Sequence, residues 1–366
     1  MKKINLRKSA LVFLISLAAC QQSDELTKVA KTKEELIGAN FKADLALIEK
    51  ATVEVDQLKY QMPKNKGKAL NEIGFDEYQQ TIVNRVAVDK GDDVVKIYSA
   101  LSKSQSYQNL MVAQSKALTL LNAQVSSART ASEIDMNTIL GPFDIELGNS
   151  QISEKSRGYI KSLKDALVTT VTQHLQAMDK AATIENGQKV IKNYDEKALS
   201  SSFQSKISAI ELEIIADGNI VVAEKQMLLL ATSQSYEKAN LLSNLFGGTA
   251  TSNGRVNWSW GSFFKIVAVV VAVVVIVVAA PYVAAAIAPS LTGTAAATIG
   301  QIAGAVVGAN GLAITATGIA VAALTSVTTS YIGGQIYCAS VSWDCNNNCS
   351  DSFSLYNSVK TCPFWN

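Results

Sequence analysis

The sequence predicts an all-α protein: an elongated bundle of long amphipathic helices, a C-terminal hydrophobic helical hairpin and a short disulfide-bonded tail. Three observations carry this. Apolar residues recur at three- and four-residue spacing through most of the first 245 positions, the period of a helix with one buried face. Alternating patterns of the kind strands show are nearly absent. Finally, no charged side chain occurs between Lys265 and Asp344, and that much apolar chain needs lipid or a protein shell to cover it.

The elements follow in order. Lys2, Lys3, Arg7 and Lys8 form a basic n-region and Leu11–Leu17 a short apolar h-region, the pattern of an export signal rather than a stable span. It ends in Leu17-Ala18-Ala19-Cys20, which resembles the lipobox of bacterial lipoprotein precursors. The resemblance covers about the first twenty residues. It implies cleavage before Cys20 and attachment of a diacylglycerol to that residue. In Gram-negative lipoproteins an Asp after the Cys favours inner-membrane retention, so Gln21 implies an outer-membrane lipoprotein of the cell envelope. A plain signal peptide with a chance Cys is the other reading. Residues 1–19 are thus expected to be the signal peptide and 20–33 a lipidated tether. Cleavage takes the formal charge from +2 to about −2, which speaks against a nucleic-acid partner, since such proteins carry a basic stripe.

Residues 34–250 form the expected bundle. Phe41, Leu45, Ile48, Thr52, Val55 and Met62 make the first stripe, ended by Pro63 to Gly67. A second stretch runs from about Asp76 to Arg129, with Val94, Ile97, Leu101, Leu110, Ala117 and Leu121 as markers and a break near Lys90-Gly91-Asp92. Gly141-Pro142 predicts a loop. A third helix is expected from about Ser153 to Ile184, with Ile160, Leu163, Leu167, Val171, His174 and Met178 on one face, and Asn186-Gly187 as a break. The fourth runs from about Gln188 to Leu245 with Phe203, Ile207, Ile210, Ile214 and Val221 on its stripe; Gly218 bends it. Unbroken, it would reach roughly 80 Å. Such a bundle should have few concave pockets.

Residues 251–330 are expected to form a hydrophobic transmembrane hairpin. A Gly-rich linker, Gly247 to Gly254, leads to Trp258, Trp260, Phe263, Phe264 and Lys265, an interfacial belt of aromatics beside a cation. Tyr331 and Trp343, with Tyr337, take the matching place on the way out. The first arm, Ile266 through Ala288, is long enough for a hydrocarbon core of roughly 30 Å. Ile266, Val270, Val274, Ile276 and Val278 represent its inserting surface. The turn is placed near Pro289 to Gly293. The second arm, to about Val327, carries Gly300, Gly304 and Gly308 at four-residue spacing, the pattern of close helix packing. A buried helix pair in a soluble protein, covered by the amphipathic helices, is the alternative for the whole block.

Residues 331–366 are the Cys-rich tail. Cys338, Cys345, Cys349 and Cys362 are clustered and even in number, which in an exported chain reads as two disulfides of open pairing. A zinc site is the rival, although no C-x-x-C pair is present and the single His is remote. No metal or other cofactor is expected.

Catalytic patterns are missing. His174 is the only histidine, so no Ser-His-Asp arrangement assembles, and the glycines from Gly300 to Gly311 lack the Lys-Ser/Thr ending of a phosphate loop. Glu211, Glu213 and Asp217 read as a solvated face. The chain is therefore not expected to be an enzyme.

Long amphipathic helices joined to a hydrophobic hairpin resemble the α-helical pore-forming toxins of the cytolysin A and haemolysin BL type, over about residues 36–330. The late position of the apolar block is similar to that of channel-forming colicins. The resemblance implies a soluble bundle that hides an apolar head, insertion of that head into membrane lipid, and assembly as a homo-oligomer. The toxin family has a long helix after its hairpin, where this chain has the Cys-rich tail. The leading expectation is a lipid-anchored helical protein that inserts the hairpin, with an oligomeric pore as its extension. The alternative is a structural cell-envelope lipoprotein acting as spacer or partner-binding scaffold.

Overall fold

The computed structural model describes residues 32–37, 41–61, 75–128, 130–150, 152–185, 188–192, 196–247 and 255–258, together with Ala320, Ala323 and Leu324. These residues are mostly helical. The helices are α1 (Lys33–Ile37), α2 (Phe41–Gln61), α3 (Phe75–Lys90), α4 (Asp93–Ser102), α5 (Gln105–Ser127), α6 (Met136–Asn149), α7 (Glu154–Ala181), α8 (Glu196–Ala216) and α9 (Val222–Gly247). Strands β1 (Ala182–Glu185), β2 (Gln188–Lys192) and β3 (Arg255–Trp258) form one antiparallel sheet in the order β1-β2-β3.

Sequence-neighbouring helices pack on each other: α2 on α3, α3 on α4, α5 on α6, α7 on α8 and, most extensively, α8 on α9, with α9 also touching α7 and α1. The stripes read from sequence become the core. Phe41, Leu45, Ile48, Val94, Ile97, Leu101, Leu110, Leu121, Ile160, Leu163, Leu167, Val171, Phe203, Ile207, Ile210 and Ile214 are all buried in one cluster. His174 is half-buried on α7.

The breaks have identifiable causes. Gly91 takes a positive φ of 92° and its N–H reaches the Ala87 carbonyl at 2.7 Å, the left-handed stop that glycine supplies at no steric cost. A second break, at Lys103-Ser104, was not expected. Ser104 caps α5 by accepting from the Tyr107 N–H at 3.2 Å.

Four expectations are corrected. First, Gly141-Pro142 is no loop: α6 runs through Pro142. Asp135 caps this helix by accepting from the Asn137 and Thr138 N–H groups, and Met136, Ile139, Leu140, Phe143 and Leu147 are buried. Second, the third helix stops at Ala181 and β1 follows. Third, no helix starts at Gln188. That segment is β2, which pairs antiparallel with β1, Glu185 opposite Gln188; Asn186-Gly187 lies outside the described residues. Fourth, Gly218 breaks the last helix instead of bending it, so α8 and α9 fold back on each other and the long rod does not form. Ile220 is buried in that turn, whereas Val221, expected on the stripe, is 63% exposed.

Acidic residues expected on a solvated face also do structural work. Glu211 is buried, bound by Lys33 Nζ at 2.7 Å and by the Thr232 hydroxyl at 2.7 Å. Asp217 accepts from the Asn219 N–H at 2.9 Å, Lys155 Nζ at 2.9 Å and the Tyr159 hydroxyl at 3.0 Å. Beside it, Glu224 accepts from the Ser153 N–H and from the hydroxyls of Ser153 and Ser156. Together they clasp the start of α7 to the α8–α9 turn.

The Asn219 N–H above all, then Lys155, hold the Asp217 carboxyl down to about 2, against an ordinary 3.8. Its folded state thus prefers the carboxylate. The clasp contributes fully above the ordinary value and is lost as pH falls from about 3.8 towards 2. Asp217→Asn is expected to lower the thermal midpoint at neutral pH, and the gap between variant and parent should close when unfolding is followed near pH 2.

Candidate functional site

Among the described residues, two places lie where the bundle meets the apolar block. The first is the sheet. Strand β3 pairs residue by residue with β2, Lys189 opposite Trp258 and Ile191 opposite Val256, and it ends seven residues before Lys265. Paired positions of adjacent strands share a face, and the face alternates along each strand. The register therefore puts positions 182, 184, 189, 191, 256 and 258 on one face, occupied by Ala, Ile, Lys, Ile, Val and Trp. The other face carries Thr183, Glu185, Gln188, Val190, Lys192, Arg255 and Asn257. Ile184 on the apolar face is 67% exposed.

The second lies within the charge-free run itself, at Ala320, Ala323 and Leu324. All three are helical and fully buried in the bundle core. The Leu324 carbonyl accepts from Gln79 Nε2 at 3.4 Å. Gln79 lies on α3 and is 1% exposed. Its Oε1 accepts from the Tyr98 hydroxyl at 3.0 Å and the Tyr107 hydroxyl at 3.5 Å, and its Nε2 also reaches the Tyr107 oxygen at 3.3 Å. The α4–α5 turn made by Ser104 brings the two buried tyrosines, one on each helix, to the same glutamine. Burial, with Tyr107 and Asp76 beside it, pushes the Tyr98 hydroxyl far above its usual range, so it stays a donor. A buried amide is costly unless bonded, and here both of its ends are engaged. The sequence reading missed Gln79. Its signal was a polar residue on an apolar stripe, next to Tyr78 and before Ile82, Val83 and Val86.

A groove of about 360 Å³ lies between α1–α2 and α8–α9, floored by Ile37, Phe41 and Leu45. Its rim pairs Lys33 with Glu211 and Lys42 with Glu237, so its charges are matched within the groove.

Of the residues singled out from sequence, Trp258 is placed, on β3. Cys20, Trp260, Phe263, Phe264, Ile266, Val270, Val274, Ile276, Val278, Gly300, Gly304, Gly308, Tyr331, Trp343, Cys338, Cys345, Cys349 and Cys362 lie outside the described residues. Among the described residues, no helix is long and apolar enough to cross a membrane, and no group of three His, Cys, Asp or Glu side chains is placed to hold a metal. No family model, curated protein or solved structure matches the chain.

Proposed function

We propose that this chain is a lipid-anchored helical protein that inserts a hydrophobic hairpin into a membrane, with assembly into an α-pore-forming toxin-like homo-oligomer as the further step. The observation that carries this is the charge-free run from Lys265 to Asp344, opening with Ile266 through Ala288. Thirteen Val and Ile residues in that first arm contribute about −0.3 to −0.6 kcal/mol each on the insertion scale, several kcal/mol in all. The sheet adds support: β3 ends at Trp258, and the chain then runs on to Trp260, Phe263, Phe264 and Lys265, aromatics beside a cation as at a membrane interface. Cys20 would bring the bundle to a lipid surface, and Gly300, Gly304 and Gly308 would pack inserted helices. This is a mechanical role, with no chemical step.

The test uses the mature chain and dye-loaded phospholipid vesicles. Dye release that grows with protein concentration is the expected result. Membrane association without release, across neutral and anionic vesicles, overturns the insertion reading and leaves a spacer or scaffold lipoprotein.

A further inference from the structure

We propose that Ala320, Ala323 and Leu324 are a fixed part of the bundle and set the C-terminal limit of the segment that enters lipid. This rests on the membrane-inserting reading above but can fail independently of it. Composition alone draws no such line, because the charge-free run continues to Asp344. The structure does. The three residues stand at i, i+3 and i+4, one face of a helix, and all three are fully buried in the bundle core. The two alanines present little side chain, which favours close backbone approach. The Leu324 carbonyl is bonded to Gln79, itself oriented by Tyr98 and Tyr107.

Moving these residues into a bilayer would be a poor exchange. Acyl chains are as apolar as the leucine environment left behind, so lipid returns the transfer part of the burial energy. It does not refill the hole left in the core beside α3, and an unfilled cavity adds its own penalty. Nor does it replace the bond to the Gln79 amide, which would lose a partner inside the core. By contrast, Ile266 through Ala288 is dominated by Val and Ile with no charge, and lipid suits it.

The apolar block then has two uses. Its end is core. The stretch 259–319 is tethered to the bundle at both ends, by β3 and by Leu324. By length alone it has room for two crossings of about 20 residues each, on either side of Pro289 to Gly293. On this proposal a second crossing would end before Ala320, short of the Asp344 limit that the charge-free run alone would allow, and would include Gly300, Gly304 and Gly308.

Two measurements test this on the full mature chain. Leu324→Ala should lower the thermal midpoint in lipid-free buffer by about 5–20 °C, because it opens a cavity in the bundle; an unchanged midpoint overturns the proposal. Separately, p-azidophenylalanine replacing Tyr107 is irradiated with and without vesicles, and the cross-linked peptide is read by mass spectrometry. The same cross-link to the peptide containing Leu324, before and after dye release, is expected. Loss of that cross-link on release shows the segment leaving the bundle and overturns the proposal. If vesicles stay intact while the midpoint shift and the cross-link persist, the anchorage stands and the insertion reading falls.

Discussion

Replacing Val270, Val274 and Ile276 together with Asp is expected to reduce dye release by the mature chain to the vesicle-only baseline. The three positions lie in the first half of the first arm, at residues 5, 9 and 11 of the 23 from Ile266 to Ala288, the last two near its centre. An Asp at the centre of a spanning helix costs about 2.5–3.5 kcal/mol on the insertion scale, and each Val or Ile lost forfeits a further 0.3–0.6. Three substitutions therefore cost up to roughly 8–12 kcal/mol. The whole arm draws only about 4–8 kcal/mol from its Val and Ile residues. The sign of insertion reverses, not merely its size. Release equal to that of the parent chain would show that this arm does not enter the bilayer. Val270→Leu, Val274→Leu and Ile276→Leu together serve as the matched control, since Leu lies in the same range on that scale and release should persist.

What the sequence showed depends on the distance over which each signal acts. The helical stripes were legible because a helix writes its buried face locally. Val94, Ile97 and Leu101 are spaced for one face, and all three are buried. Gly91 was legible for the same reason: a glycine between two stripes is a local stop. The sheet was not. Its strands are four or five residues long, too short for a period of two to stand out, and β3 lies more than sixty residues after β2. Asn186-Gly187 reads as a break, but nothing local announces that the residues on its two sides pair, Glu185 with Gln188. Gly218 illustrates the same limit. One glycine weakens a helix by about 1 kcal/mol, which bends or breaks it according to what the two halves pack against. Here α8 and α9 pack on each other, and that contact lies between residues far apart in sequence. The joining points of the apolar block divide likewise. Trp258 was singled out by its aromatic character, whereas Gln79 and Leu324 meet across 245 positions, and no local pattern announces that.

Pro142 gives the sharpest local conflict in the molecule, and it sets up the second large effect. Proline inside a helix costs about 3 kcal/mol, since it removes one hydrogen bond and crowds the preceding turn. Yet α6 continues from Met136 to Asn149. Burial of Met136, Ile139, Leu140, Phe143 and Leu147 supplies the opposing term, at about 1.5–3 kcal/mol for each large apolar side chain. Phe143 is the largest of these and is fully buried, immediately after the proline. Phe143→Ala is expected to destabilise the bundle by about 3–5 kcal/mol. That lowers the thermal midpoint by about 6–20 °C. Because the packing that holds the helix through Pro142 is then weakened, α6 should also fray at that point, read as faster amide exchange over residues 136–149 than over α7. Adding Pro142→Ala to the same variant should restore slow exchange in α6 while recovering only part of the midpoint, since the cavity remains. If Phe143→Ala unfolds no earlier than the parent, burial is not what carries this helix across its proline, and the packing of α6 between α5 and α7 must be weaker than the geometry states.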